Sequence, residues 1–203
     1  NGAEPEGYGV PDLNIARVLA DPPLIWQLIA PDDPDVYEQA RMQAARNPGL
    51  FQRLFGRAQS TFEMPAPLQL SPEEGIAADL DKAWHGLHYL LTQTSSGGKP
   101  PLNFLVAGGH EVGDLDVGYG PARVFTAEET LSIHDALGGL SDEALRTRFD
   151  PAAMSRAEIY PGIWSEPPEE DDALGYLMGG LDTLRGVLAT ATGAHLGLVV
   201  YLS

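Results

Sequence analysis

Apolar positions recur with helical spacing through most of the chain, and the same punctuation opens several of those stretches. A side chain able to accept from free backbone N–H groups is followed by proline in Asp21-Pro22, Asp33-Pro34, Ser71-Pro72 and Asp150-Pro151. Proline costs nothing in a first helical turn, where its missing N–H would have no partner. Reciprocal capping boxes add to the signal at Ser71 with Glu74 and at Thr126 with Glu129. From Asp33 the pattern runs through Val36, Tyr37, Ala40, Ala44 and Ala45 to a stop at Asn47-Pro48-Gly49, with a short continuation around Leu50, Leu54 and Phe55. Residues 56–70, with Met64-Pro65-Ala66-Pro67, read as a loop. It separates a helical N-terminal portion (1–70) from the body of the chain (71–203).

The longest regular pattern predicts a helix over 71–94, with Ile76, Leu80, Ala83, Trp84, Leu87 and Leu91 on one face. Leu102 to Ala107, closed by Gly108-Gly109, fits either a strand or a buried helical turn. Val124-Phe125 reads as a brief strand leading into the Thr126 helix. Shorter helices are expected from Ser141 to near Phe149 and from Pro151. The run Glu166 to Asp172 puts negative charge at the start of a further helix, where the macrodipole favours it. That helix carries Leu174, Leu177, Met178, Leu181, Leu184 and Leu188, is dotted with close-packing glycines, and ends at Gly193. The β-branched run Leu196 to Leu202 suits a strand buried on both faces. The sum is a helix-rich α+β single domain around a small β-sheet, closed by a buried C-terminal strand.

Composition narrows the function classes. Among 203 residues, 29 acidic side chains face 12 basic ones, for a formal charge of −17, and cysteine is absent. No disulfide, thiolate nucleophile or Cys-ligated metal centre is therefore available. Nucleic-acid binding and docking on anionic lipid both need clustered cations, which the chain lacks, so neither is expected. No apolar run approaches the ~20 residues of a membrane span. The opening Asn1-Gly2-Ala3-Glu4 has neither an initiator Met nor an apolar leader, so a start that was removed or lies upstream is expected, with the cytoplasm as default location.

Three segments carry candidate chemistry. On a continuous 71–94 helix, Asp81, His85, His88 and Thr92 would share an arc of roughly 60° beside the apolar stripe. Asp81 could then orient His85 at i+4, and His85 and His88 could share a metal with His110, Glu111 or Glu158 as third ligand. A satisfied, purely structural histidine pair is the commoner outcome of such spacing, and no H-E-x-x-H pattern occurs. Gly118-Tyr119-Gly120-Pro121-Ala122-Arg123 departs from every phosphate-loop pattern. It suits either a turn with its ring packed down or a Tyr and an Arg at a pocket rim. Glu158-Ile159-Tyr160-Pro161-Gly162-Ile163-Trp164 combines a carboxylate with two large aromatics, as a binding surface or a core fold-over would.

These same segments, Leu80 to Thr92, Gly118 to Glu129 and Phe149 to Trp164, resemble the YfbM-like family of bacterial proteins of unknown function. The resemblance covers roughly 71–203, including the closing strand, and implies a single α+β domain of bacterial origin. It implies no cofactor and no catalytic residue. Asp81, Trp84, His88, Thr92, Tyr119, Arg123, Glu158 and Tyr160 lie in the motifs that carry it and form the candidate binding pocket. The chain departs from the family at His85, and again at Gly7-Tyr8-Gly9-Val10, which runs into Pro11, so an edge strand is expected to be missing.

Two function classes follow. The first is a non-enzymatic binding or protein-interaction module for a basic protein partner or a small ligand, in the manner of an acidic inhibitor or immunity-type protein. The second is a small-molecule hydrolase or metal-assisted enzyme with His88 as base, Asp81 orienting it, Arg123 holding an anion and Glu158 as acid. Convergence of His88, Arg123 and Glu158 in one cleft is the geometric condition for the second.

Overall fold

The computed structural model describes residues 5–46, 66–68, 77–166 and 172–202. Its centre is β5 (Gly197–Leu202), the expected C-terminal strand. Five strands, β1 (Pro5–Val10), β2 (Ala77–Asp79), β3 (His110–Asp116), β4 (Pro121–Phe125) and β5, form one sheet in the order β2-β1-β5-β4-β3. Every neighbouring pair is antiparallel.

The alternation of side chains along β5 divides the interior in two. Leu198 and Val200 face a larger core with Leu87, Leu90, Phe104, Trp164, Leu177 and Leu188. Val199 and Tyr201 face a smaller one with Val10, Ile15, Val18, Leu24 and Val124. The larger core is roofed by α4 (Ala83–Thr92), α5 (Ala127–Gly138) and α8 (Ala173–Gly193), with α8 packed against both others. The short helices α6 (Asp142–Thr147) and α7 (Pro151–Arg156) add Leu145 and Met154. On the opposite face lie α1 (Asp12–Ala20), a 3₁₀ turn (Pro22–Ile25), α2 (Trp26–Ile29) and α3 (Pro34–Arg46). Residues 12–46 thus cover the second face of the sheet.

The capping signals perform as their chemistry predicts. Thr126 and Glu129 form the reciprocal box, Asp150 accepts from the Ala153 N–H at 2.9 Å, Ser141 from Ala144 at 3.2 Å, and Asp172 from Gly175 at 2.8 Å. Asp21-Pro22 opens the 3₁₀ turn without a side-chain cap.

Several expectations are corrected. The stretch to Thr94 is not one helix: residues 77–79 are strand, and α4 starts only at Ala83. Asp79 Oδ1 accepts the Asp81 N–H at 2.6 Å, and Asp81 takes a left-handed φ of 45°, which no helix interior tolerates. The strand judged missing is present and internal. β1 pairs with β5 along its whole length and with β2 on its other side, and Pro11 merely follows it as the N-cap of α1. Of the two alternatives for Leu102 to Ala107 the structure has the buried helical turn and not the strand, with the Asn103 carbonyl accepting from the Val106 and Ala107 N–H groups, whereas β3 and α1 have no clear signal in the sequence. The Asn47-Pro48-Gly49 stop, the continuation at Leu50, Leu54 and Phe55, most of the 56–70 loop, the Ser71–Glu74 box and residues 167–171 of the acidic run lie outside the described residues.

Only some helix glycines serve packing. A Cβ on Gly86 in α4 would lie 2.6 Å from both Leu177 Cδ2 and Trp164 Cη2, and one on Gly180 would lie 3.1 Å from the Ala83 Cβ, whereas Gly179 and Gly186 have nothing within 4 Å. Gly86→Ala should therefore destabilise the protein by about 1–3 kcal/mol despite alanine's better helix propensity. Gly179→Ala should stabilise it by about 0.5–1 kcal/mol. Urea unfolding of the two variants checks this, and the same sign for both would contradict the packing.

Candidate functional site

The break before α4 redistributes the expected polar seam. Asp81, off the helix, accepts a hydrogen bond from the Tyr176 hydroxyl at 2.7 Å instead of orienting a histidine. Burial raises the Tyr176 pKa, and the Asp81 carboxylate raises it further, so this phenol stays protonated and donating.

His85 acts as a bracket. Its Nδ1 accepts the Tyr160 backbone N–H at 3.0 Å, and its Nε2 lies 2.7 Å from the Ser95 carbonyl. An N–H can only donate and a carbonyl only accept, so the ring must be neutral with its proton on Nε2. Burial lowers the His85 pKa, opposed by the bond to Ser95, which agrees with that state. One ring thereby ties α4 to the loop at 95 and to the Tyr160-Pro161 turn, while Trp84 stacks on it at 4.8 Å between centroids.

His88 points inward and is 0% exposed. Thr92 Oγ1 donates to the His88 carbonyl at 2.8 Å, so its contact with His88 Nε2 at 3.3 Å uses a ring N–H, and Nδ1 is left as a buried acceptor with no partner among the described residues. Burial first, then the nearby His85 and Arg123, hold its pKa down at about 4.

Arg123, on β4, is equally committed. Its guanidinium donates to the Phe104 and Leu105 carbonyls, both at 2.8 Å, and lies 6.0 Å from the Phe125 ring centroid. Those bonds hold the 102–107 turns against the sheet. Burial lowers the Arg123 pKa to about 10, with Glu111, its cross-strand partner, acting in the opposite direction.

The remaining candidates face outward. Glu158 is exposed, has a φ of 54°, and with Ser155, Tyr160, Pro161 and Gly162 lines a cleft of about 330 Å³. Asp81, Lys82, Ile163 and Tyr176 line a second cleft of about 360 Å³, and Pro161 is the wall common to both. Tyr119 stands 62% exposed at the β3–β4 turn, where Asp116 Oδ1 accepts from Gly118 and Gly120, and it lines neither cleft. Trp164 belongs to the core, its Nε1–H donating to the Ile159 carbonyl at 2.6 Å.

The eight expected residues thus fall into three places. Asp81, Glu158 and Tyr160 gather about Pro161, with Trp84 behind them on His85. His88 is interior, Thr92 and Arg123 are half-buried with their donors on the protein's own main chain, and Tyr119 is apart. Among the described residues, His88 is enclosed and Glu158 lines a cleft that neither His88 nor Arg123 lines, and no three His, Asp or Glu side chains are placed to hold a metal ion. Lys82 and Tyr176 were not expected at the site. Only the coming together of elements distant in sequence reveals them.

The buried histidines imply acid sensitivity. The folded His88 pKa of about 4 lies below the unfolded value near 6.5, so neutral His88 contributes its full stability above pH 6.5 and loses it as pH falls towards 4. The loss should be about 2–3 kcal/mol, and His88→Leu should remove most of that dependence. Urea titrations of both proteins at pH 7 and pH 4.5 measure it, and parallel losses would contradict the assignment.

Comparison with known proteins agrees with the fold. The Escherichia coli (strain K12) protein YfbM is 33% identical over 88 residues, which are 42% of this chain and 52% of that protein, so the alignment spans about half the relative's length. The crystal structure of YfbM from Escherichia coli, described as a protein of unknown function, superposes with a TM-score of 0.62 at 19% identity, covering 98% of this chain and 99% of that one. At that identity the likeness establishes the fold alone. The profile of a family described as a domain of unknown function, DUF1877, matches residues 10–201. On that match, which takes in all five strands in whole or in part and both cores, the chain belongs to the DUF1877 family.

Proposed function

We propose that the protein is a non-catalytic binding module that receives a basic segment of a partner protein across the Tyr160-Pro161 turn. The observation that carries this reading is the pair of clefts sharing Pro161, each with a carboxylate on its wall. Asp81 and Glu158 both sit in left-handed backbone, at φ values of 45° and 54°. That conformation costs a non-glycine residue of order 1 kcal/mol, and Glu is among the less tolerant types. Strain of this kind is retained where the surrounding fold fixes a side chain in a set direction.

Charge supports the same partner class. A net −17 draws cationic surfaces inward at long range, and the two carboxylates offer local acceptors on arrival. Lys82 in the second cleft makes that side the less acidic of the two, so Glu158 is expected to be the stronger contact. The hydrolase reading lacks comparable support, because its base is enclosed and its cation is occupied by main-chain carbonyls.

A lysine- and arginine-rich pentapeptide provides the test. Titrated at low salt and followed by amide NMR, it should shift residues 81–82 and 158–163. The double variant Asp81→Asn, Glu158→Gln should bind about tenfold more weakly. Asn tolerates left-handed backbone and still accepts from Tyr176, so folding should be retained. The variant removes only two negative charges from −17, so unchanged affinity or shifts scattered over the surface would mean diffuse electrostatics and overturn the proposal.

A further inference from the structure

A third cleft, of about 260 Å³, opens on another part of the molecule, between the loop that ends at Gly109 and the first turns of α5. Its walls are apolar: Pro100, Pro101, Phe125 and Ile133. Its polar groups are Asn103, Glu129 and Ser132, and each presents acceptor capacity.

Asn103 is only 7% exposed. Its Nδ2 donates to the Gly98 carbonyl at 3.3 Å, which fixes the amide orientation because a carbonyl oxygen cannot face another oxygen without a proton between them. The Asn103 Oδ1 then has no hydrogen-bond partner among the described residues and is reached from the open cleft whose wall it forms. An acceptor held in a mostly apolar recess favours an occupant that donates to it over one that cannot. Gly108 lies directly opposite: a Cβ there would come within 3.6 Å of Asn103 Oδ1 and 3.8 Å of Phe125 Cε1, and its φ of 78° disfavours any side chain. The approach to Oδ1 is therefore kept clear by backbone conformation.

Glu129 uses Oε2 to accept from the Thr126 N–H, while Oε1 lies 3.4 Å from His110 Nε2. Ser132 donates its own proton to the Glu128 carbonyl at 3.1 Å, so its oxygen retains lone pairs. Arg123 is no anion ligand here, since its bonds to Phe104 and Leu105 brace the turns that present Asn103.

We infer that this cleft binds a small primary ammonium with an apolar body, its nitrogen donating to Asn103 Oδ1 and the Glu129 carboxylate while its hydrocarbon lies against Pro100, Pro101 and Phe125. An anion would be repelled by the Glu129 carboxylate on the wall, and a purely apolar molecule leaves Asn103 Oδ1 unpaired. The binding uses no residue of the Pro161 clefts and stands independently of them.

2-Phenylethylamine and 2-phenylethanol, which share a skeleton and differ in the head group, are the probes. The amine at millimolar concentration should shift the Asn103 side-chain amide and the Gly108 and Gly109 amides, and the alcohol should not. Glu129→Gln keeps an oxygen for the Thr126 N–H and should weaken amine binding about tenfold. Ser132→Trp, at an exposed helix position, should fill the mouth and abolish binding. Asp81→Asn, Glu158→Gln should leave it unchanged. No shift with the amine, equal response to the alcohol, wild-type affinity in both cleft variants, or loss in the Asp81/Glu158 variant would each overturn the assignment.

Discussion

The two-sided burial of β5 is the constraint on which the rest of the molecule depends. A strand with Leu198 and Val200 on one face and Val199 and Tyr201 on the other needs apolar cover on both. It also needs hydrogen-bonded neighbours along both edges, supplied by β1 and β4. These demands explain why the first strand in sequence lies beside the last, and why α1 to α3 pack on the face that α4, α5 and α8 leave open. The candidate surfaces grow from the loops that cross this frame.

Those loops are held chiefly by cationic or imidazole side chains donating to main-chain carbonyls. Arg123 binds Phe104 and Leu105, Arg148 binds Leu90 and Leu91 at the end of α4, and Arg185 binds Leu140 as well as Asp142. His85 performs the same service with its single Nε2 proton. The chain has few cations, and it commits several of them to carbonyls that would otherwise be short of donors. With 29 acidic side chains against 12 basic ones, most carboxylates have no cation to pair with in any arrangement, and committing cations to carbonyls widens that shortfall.

Local chemistry was legible in the sequence wherever a few neighbouring residues decide the outcome. The caps at Thr126, Ser141 and Asp150, the stripe of α8 and the β-branched run of β5 all follow from side chains and backbone within one or two turns. The helix expected over 71–94 misled because Leu80 and Leu87 fit one period, while the Asp79 turn and pairing with β1 outweighed that pattern. β3 was obscure for a related reason: its burial comes from partners far along the chain. For the site, the sequence identified the segments but not their grouping. His88 and Arg123 look like chemistry in a list of residues; their roles become structural only once burial and carbonyl partners are visible. Asn103, a lone amide in the apolar run Leu102 to Ala107, was the available clue to the third cleft.

The margins of the sheet have a consequence of their own. At one margin β2 offers three residues, Ala77–Asp79, among the described residues. At the other, the register of β3 shifts between Glu111 and Asp116, Gly113 turns to a φ of 59°, and Glu111, Asp114 and Asp116 are exposed. A strand from another molecule needs a long, straight, uncharged row of free N–H and C=O groups to add on. Neither margin provides one. The described sheet is therefore a poor template for edge-to-edge growth, so that a buried hydrophobic strand at its centre need not make the protein prone to fibrous stacking.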